Sequence, residues 1–150
     1  MRYRVQRGVT LLEMIVAITI LLILMGAAVP VVRLSAKRQR ETELRRDLLE
    51  MRSAIDRYKE YADKRYFQVK VGTEGYPPDL DTLVKGVDVQ GKKIRFLRKV
   101  PVDPMTGSTE WGMRSMEDDA TSDSWGGQNV FDIYTKSNGT GLDGTKYKDW

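Results

Sequence analysis

The stretch MRYRVQRGVTLLEMIVAITILLILMGAAVPVV, residues 1–32, decides the fold of this chain. Its basic residues stand first, namely Arg2, Arg4 and Arg7. An apolar run of about twenty residues follows, which is enough to span a bilayer as a helix. Cationic flanks stay on the cytoplasmic side of a membrane. The stretch therefore predicts a single-pass anchor over residues 9–32 with its amino terminus in the cytoplasm, followed by a heavily charged, water-soluble head.

An ordinary secretory signal is the alternative interpretation of this segment. Such a signal has a shorter apolar core and is cut after small residues beyond it. The nearest match here is Ala27-Ala28-Val29-Pro30, which fits that pattern poorly. A cut near Ala28 would turn the chain into a soluble exported protein.

Glu13 is the anomaly at the start of the apolar run. A carboxylate at hydrocarbon depth costs about 2.5–3.5 kcal/mol on insertion scales, so its presence calls for an explanation. In one interpretation the carboxylate reaches the headgroup level. In the other it pairs with a positive charge on a neighbouring subunit.

Composition excludes several kinds of chemistry. The 150-residue chain contains neither cysteine nor histidine. It therefore has no disulfide, no thiol nucleophile and no imidazole base or ligand. The net charge is +4, but without the arginines of residues 1–8 the balance is 22 basic against 21 acidic residues. This near-neutral remainder does not indicate nucleic-acid binding.

Beyond the anchor, residues 33–66 predict a continuation of the same helix, with Pro30 and Gly26 expected to bend or locally melt it. An apolar stripe recurs at helical spacing: Leu44, Leu48, Met51, Ile55, Tyr58 and Ala62. A stripe of less than three heptads favours packing on the chain's own sheet over a coiled coil with another chain.

The remainder of the head, residues 67–150, is punctuated by turn residues. We predict a loop at Gly72 to Pro78 and a short helix from about Asp79 to Val84 that ends at Gly86. Strands are predicted at residues 94–102 and 130–135, with a long surface loop at residues 105–127 between them.

The residues Arg7-Gly8-Val9-Thr10-Leu11-Leu12-Glu13 resemble the processing site of class III prepilins, the precursors of type IV pilins and type II secretion pseudopilins. The resemblance implies that a prepilin peptidase cuts between Gly8 and Val9, removes residues 1–8 and methylates the new amino terminus. Glu13 then becomes the fifth mature residue, and the amine of Val9 can face the Glu13 of an adjacent subunit. Phenylalanine usually follows the cut in that family, and Val9 departs from this. Pro30 falls where the family helix has its proline.

A second resemblance covers nearly the whole chain. Four segments, in this order, are similar to those of the major pseudopilin of type II secretion: Gly75-Tyr76-Pro77-Pro78 with Leu83-Val84, Phe96-Leu97 with Val100-Pro101-Val102-Asp103-Pro104, Phe131-Asp132-Ile133-Tyr134, and Gly141-Leu142-Asp143-Gly144 with Asp149-Trp150. The implied fold is α+β, with a long N-terminal helix packed on a small antiparallel β-sheet and a C-terminal loop. The implied function is structural: a filament subunit anchored in the inner membrane, with a periplasmic head.

The resemblance also implies partners and an ion. The partners are further copies of the chain, minor pseudopilins, the prepilin peptidase, an inner-membrane assembly platform with its ATPase, and the secretin. Calcium is the implied ion, with Asp143 and Asp149 as side-chain ligands and Ser137 or Asn138 as additional candidates. Lys146 stands where the family tends to be acidic and is expected to replace the cation if calcium does not bind. A separate acidic cluster, Asp118, Asp119 and Asp123, is more typical of a solvated loop.

Two other functions remain open. A type IV pilin or competence pseudopilin would serve adhesion, motility or DNA uptake, but the chain lacks a C-terminal cysteine pair. A membrane-tethered enzyme is disfavoured because the sequence has no phosphate-binding loop and no G-x-S-x-G. The tryptophans Trp111, Trp125 and Trp150 are expected to close small cores or pin loops rather than hold a ligand.

Overall fold

The computed structural model describes residues 8–150, except for the side chains of residues 27–31. The leader arginines Arg2, Arg4 and Arg7 lie outside the described residues, and so do the side chains of the alternative cleavage site at Ala28. The chain divides into two units, Met1–Arg38 and Gln39–Trp150.

Helix α1 comprises Leu11–Asp63. It begins where the Thr10 hydroxyl accepts a hydrogen bond from the Glu13 amide at 3.2 Å and the Thr10 carbonyl accepts one from Met14 at 3.1 Å. This is an N-cap, which satisfies amide groups that have no partner inside the helix. The helix continues through Gly26 and Pro30, so it does not melt there, and the alternative that it bends stays a prediction.

The helix ends slightly earlier than the predicted Tyr66. Arg65 adopts a left-handed conformation, with φ of 55°. The Arg65 amide then bonds to the carbonyl of Ala62 at 2.9 Å, and the Tyr66 amide bonds to that of Tyr61 at 3.1 Å. Carbonyls of the last turn are satisfied in this way and the helix stops.

The predicted apolar stripe is the core of the second unit. All six of its residues are at most 5% exposed: Leu44, Leu48, Met51, Ala62, Ile55 and Tyr58. Five of them, all but Ala62, belong to one core cluster with Leu83, Leu97 and Ile133 of the head. The expectation that the stripe packs on the chain's own head is therefore confirmed.

The short helix α2, Leu80–Lys85, forms as predicted. The Asp79 carboxylate caps it by accepting from the Thr82 amide at 2.7 Å. Gly86 ends it with φ of 78°, and a Cβ at that position would lie 2.3 Å from the carbonyl oxygen of Ile94. Glycine is thus required there both by conformation and by space.

The head contains two antiparallel sheets of two strands each rather than one sheet. Strand β1 is Val87–Val89 and pairs with β2, Lys92–Ile94. Strand β3 is Gly112–Arg114 and pairs with β4, Asp132–Tyr134. A single 3-10 turn, Tyr147–Asp149, follows near the C terminus.

The predicted strands need correction. The strand expected at residues 94–102 is wrong, because β2 ends at Ile94 and the following residues take no regular structure. The strand expected at residues 130–135 exists in its central part as β4. Its partner β3 lies inside the segment predicted to be a loop. The fold class is nevertheless α+β, with a long N-terminal helix packed on small antiparallel sheets.

Candidate functional site: the amino-terminal segment and the C-terminal loop

The predicted cleavage site lies just before helix α1. Gly8, Val9 and Thr10 are exposed and lie outside regular secondary structure, since the helix begins at Leu11. Among the described residues other than its chain neighbours, none places an atom within 4 Å of the position of a Cβ on Gly8. A peptide bond between Gly8 and Val9 is therefore accessible, and no helical hydrogen bonds have to break before a peptidase can reach it.

Glu13 lies in the first turn of α1 and is exposed. Its position three residues after the capping Thr10 fits the pattern of a capping box, which the sequence interpretation did not use. An acidic side chain in the first turn also interacts favourably with the positive end of the helix dipole. Thr10 and Glu13 together explain why the helix begins at this residue.

The apolar side of the amino-terminal unit is exposed. The large side chains from Val9 to Met25 are 49–81% exposed. Within the helical part of this segment, residues 11–25, the Thr19 hydroxyl donates to the carbonyl of Ile15 at 2.7 Å and so needs no external partner. Within the part of the chain that the structure describes, no helix has both the length and the hydropathy to cross a membrane.

The C-terminal loop brings the predicted calcium ligands near each other. Asp143 and Asp149 line one open depression, together with Arg45, Lys146 and Trp150. Asn138 lines a different depression, and the Ser137 hydroxyl accepts from the Gly139 amide at 3.3 Å. The structure thus groups the two aspartates and does not add Asn138 to them.

The Asp143 carboxylate is already engaged by protein groups. One oxygen accepts from the amide and the hydroxyl of Thr145, at 2.9 and 2.7 Å. The other accepts from Arg45 at 3.1 Å. The hydrogen bonds from Thr145, and then the charge of Arg45, lower the pKa of the Asp143 carboxyl below its ordinary value.

These residues fit calcium poorly. Calcium takes six to eight oxygen ligands, whereas the depression offers two carboxylates beside two cationic side chains, Arg45 and Lys146. Among residues 8–150, no group of three or more acidic, histidine or cysteine side chains is placed to hold a metal. Calcium binding by Asp143 and Asp149 stays a prediction, and the donor set does not favour it.

The separate acidic cluster is a structured loop. Asp118 accepts from the amides of Ser115 at 2.7 Å and Gly126 at 3.0 Å, and these bonds lower the pKa of its carboxyl. Asp123 pairs with Lys148 at 3.0 Å. Two of the three carboxylates therefore hold the loop together.

The three tryptophans pin loops, as predicted. Trp111 donates to the carbonyl of Pro101 at 3.0 Å, and Trp125 donates to that of Asn129 at 2.7 Å. Trp150 donates to the Thr145 hydroxyl at 2.5 Å.

Three helix residues that the sequence interpretation left out hold the C-terminal region. Glu41 accepts from the Leu142 amide and the Tyr147 hydroxyl, both at 2.9 Å. Burial, and then the hydrogen bond and charge of Glu41, raise the pKa of Tyr147 to about 12. Arg45 pairs with Asp143.

Arg52 is the third of these residues. It donates to the Asp132 carboxylate at 2.7 Å and to the carbonyls of Ile133 at 3.2 Å and Trp150 at 2.8 Å. Sequence spacing carries no signal for such contacts, because the paired residues are 80 to 98 positions apart.

Comparison with known proteins identifies the amino-terminal segment. Residues 3–29 match the family model described as "Prokaryotic N-terminal methylation motif". No curated protein and no solved structure matches the chain significantly. A motif of this type implies processing by a prepilin peptidase and a membrane-anchored amino terminus. The chain therefore carries a prokaryotic N-terminal methylation motif, which supports a pilin-like filament subunit.

Proposed function

We propose that this chain is a structural subunit of the pseudopilus of type II protein secretion and not an enzyme. The observation that carries the proposal is the methylation motif at residues 3–29. The order of the head segments that resemble the major pseudopilin adds support for the secretion class. In this proposal the subunit is inserted in the inner membrane, with a cytoplasmic amino terminus and a periplasmic head.

The first step is removal of the leader. The peptidase cuts between Gly8 and Val9, a bond that is accessible because it precedes the first helical residue. The cut leaves an amine on Val9, which is cationic at neutral pH. Thr10 lies on the C-terminal side of the cut, so the mature chain retains the cap of α1.

The second step is assembly. The amine of Val9 on one subunit pairs with Glu13 on the next, while the apolar surface of residues 9–25 is buried among neighbouring helices. Burial in an apolar medium strengthens the attraction between the opposite charges. Assembly uses the platform and ATPase of the inner membrane, minor pseudopilins and the secretin.

A contact within the head joins two of the segments that resemble the major pseudopilin. The segment Phe131-Asp132-Ile133-Tyr134 and the terminal Trp150 are both part of the resemblance. Arg52 holds them together, because it donates to Asp132 and to the carbonyl of Trp150. The two motifs are thus linked by the same arginine side chain.

Deletion of the gene in its own bacterium tests the proposed class. We expect exported enzymes to be lost from the medium while twitching motility and DNA uptake are unchanged. Wild-type complementation should restore secretion, and complementation with Glu13→Leu should not. Loss of motility or DNA uptake with normal secretion would favour the type IV pilin or competence alternative.

A further inference from the structure

The C-terminal loop, residues 139–150, is closed by its own backbone. The Gly141 amide donates to the carbonyl of Thr145 at 2.7 Å, and the Tyr147 amide donates to that of Gly139 at 3.1 Å. Thr140 and Lys146 form an isolated antiparallel bridge between these bonds. These bonds give the loop a defined backbone conformation, which side chains from outside the loop can stabilise further.

Helix α1 contacts this loop through charged side chains of the same unit. Glu41 accepts from the Leu142 amide and the Tyr147 hydroxyl. One turn further along, the Arg45 guanidinium lies 3.1 Å from the Asp143 carboxylate and 3.7 Å from the centre of the Trp150 ring. Arg45 thus contacts both the acidic turn and the last residue.

We propose that Arg45 supplies, from within the chain, the positive charge at Asp143 that calcium would otherwise supply, so that closure of the C-terminal loop is independent of calcium. This inference does not rest on the filament function, since it concerns the unassembled chain. It replaces the expectation that Lys146 takes the place of the cation, because the structure pairs Asp143 with Arg45.

Both oxygens of the Asp143 carboxylate already accept hydrogen bonds from the protein. One accepts two hydrogen bonds from Thr145, and the other accepts from Arg45. A calcium ion would approach a carboxylate that already holds the cationic Arg45, and the like charges repel each other unless the guanidinium moves away. Displacing Arg45 would also remove its stacking on Trp150.

The depression around Asp143 has as many basic as acidic side chains. Its ionisable side chains are two acids, Asp143 and Asp149, and two bases, Arg45 and Lys146. The formal charges cancel. A depression without net negative charge has little attraction for a divalent cation, whereas calcium sites gain affinity from the number of charged ligands.

Arginine suits position 45 better than lysine would. A planar guanidinium can pair with a carboxylate and stack on an aromatic ring at the same time, which a lysine ammonium does poorly. The Arg45 and Asp143 side chains are 54% and 46% exposed, so the ion pair alone is expected to be weak. The stacking on Trp150 fixes the position of the guanidinium and makes the pair effective.

Thermal unfolding of the full chain in detergent, followed by tryptophan fluorescence, tests the inference. We expect the Tm to change by less than about 1 °C between excess chelator and millimolar calcium, because a ligand that does not bind the native state does not stabilise it. A calcium-dependent rise of more than about 3 °C would overturn the proposal.

A double-mutant cycle tests the role of Arg45. Arg45→Gln is expected to lower the Tm by about 3 °C or more, whereas Arg40→Gln, the same change at an exposed position of the same helix, is expected to leave it unchanged. Adding Asp143→Asn to Arg45→Gln should cost less than the two losses summed, because the residues act as a pair. Equal Tm values for Arg45→Gln and Arg40→Gln, or strictly additive losses in the cycle, would refute the pairing.

Discussion

Replacing Glu13 with leucine is expected to leave leader cleavage intact and to reduce the yield of filaments about tenfold or more. The cut precedes the helix, and the Thr10 hydroxyl caps the helix by accepting from the backbone amide of residue 13, so neither cleavage nor this hydrogen bond requires the Glu13 carboxylate. Assembly does depend on it, because the buried amine of a neighbouring Val9 would lose its partner. Each 1.4 kcal/mol lost from such a contact is about a tenfold change in the equilibrium.

Two further variants separate charge from shape. Glu13→Gln keeps the size and polarity but removes the charge, and it should fail as Glu13→Leu does. Thr19→Val changes a polar residue of the same segment whose hydroxyl bonds inside the helix to Ile15, and it should assemble normally. Filaments are counted by electron microscopy of sheared fractions, with cleavage followed by mass. A normal yield from Glu13→Leu would contradict the pairing of Glu13 with Val9.

Replacing Asp103 with alanine is expected to lower the free energy of unfolding by about 2–4 kcal/mol. Asp103 is fully buried. It accepts from the Met105 amide at 2.8 Å and from the hydroxyls of Thr106 and Thr135, at 3.0 and 2.5 Å. Without the carboxylate, the Thr135 hydroxyl, which is itself fully buried, loses its acceptor.

Denaturant unfolding of the full chain in detergent measures this loss. Asp103→Asn keeps an oxygen for the Met105 amide and is expected to cost less than Asp103→Ala. Asp88→Ala removes an exposed aspartate from strand β1 and should change stability by less than about 0.5 kcal/mol. If Asp103→Ala were no more destabilising than Asp88→Ala, the network around Asp103 would contribute little to the fold.

Periodicity and capping residues predicted the parts of the fold that depend on local sequence. The spacing of Leu44, Leu48 and Met51 identified the buried face of α1, because a helix face lined with apolar side chains is stable when it packs in the core. Asp79 and Gly86 predicted the ends of α2, because capping chemistry depends on the residue at that position.

The strands were predicted less well. Strands of three residues carry too little alternation to be recognised. Strand β3, Gly112–Arg114, also lacks β-branched residues. Gly112 is needed there for a spatial reason, since a Cβ would lie 2.3 Å from the ring of Tyr134. Such a requirement comes from the partner strand, which the local sequence does not indicate.

The two candidate sites also differ in how far local sequence predicts them. The amino-terminal segment is contiguous, so a short motif was enough to predict the roles of Gly8, Val9 and Glu13. The C-terminal loop depends on Glu41 and Arg45, which lie about a hundred residues away from their partners. No short pattern connects them, so the sequence pointed to Asp143 and Asp149 but not to Arg45, which pairs with Asp143 in the structure.

Intact mass of the membrane-extracted chain, expressed with and without a prepilin peptidase, tests the central claim most directly. With the peptidase we expect a mass that corresponds to residues 9–150, with one methyl group on Val9 as the family motif implies. Without the peptidase the leader should remain. A chain that stays uncut in the presence of an active peptidase, or one that is cut near Ala28 instead, would contradict the assignment as a pilin-like subunit.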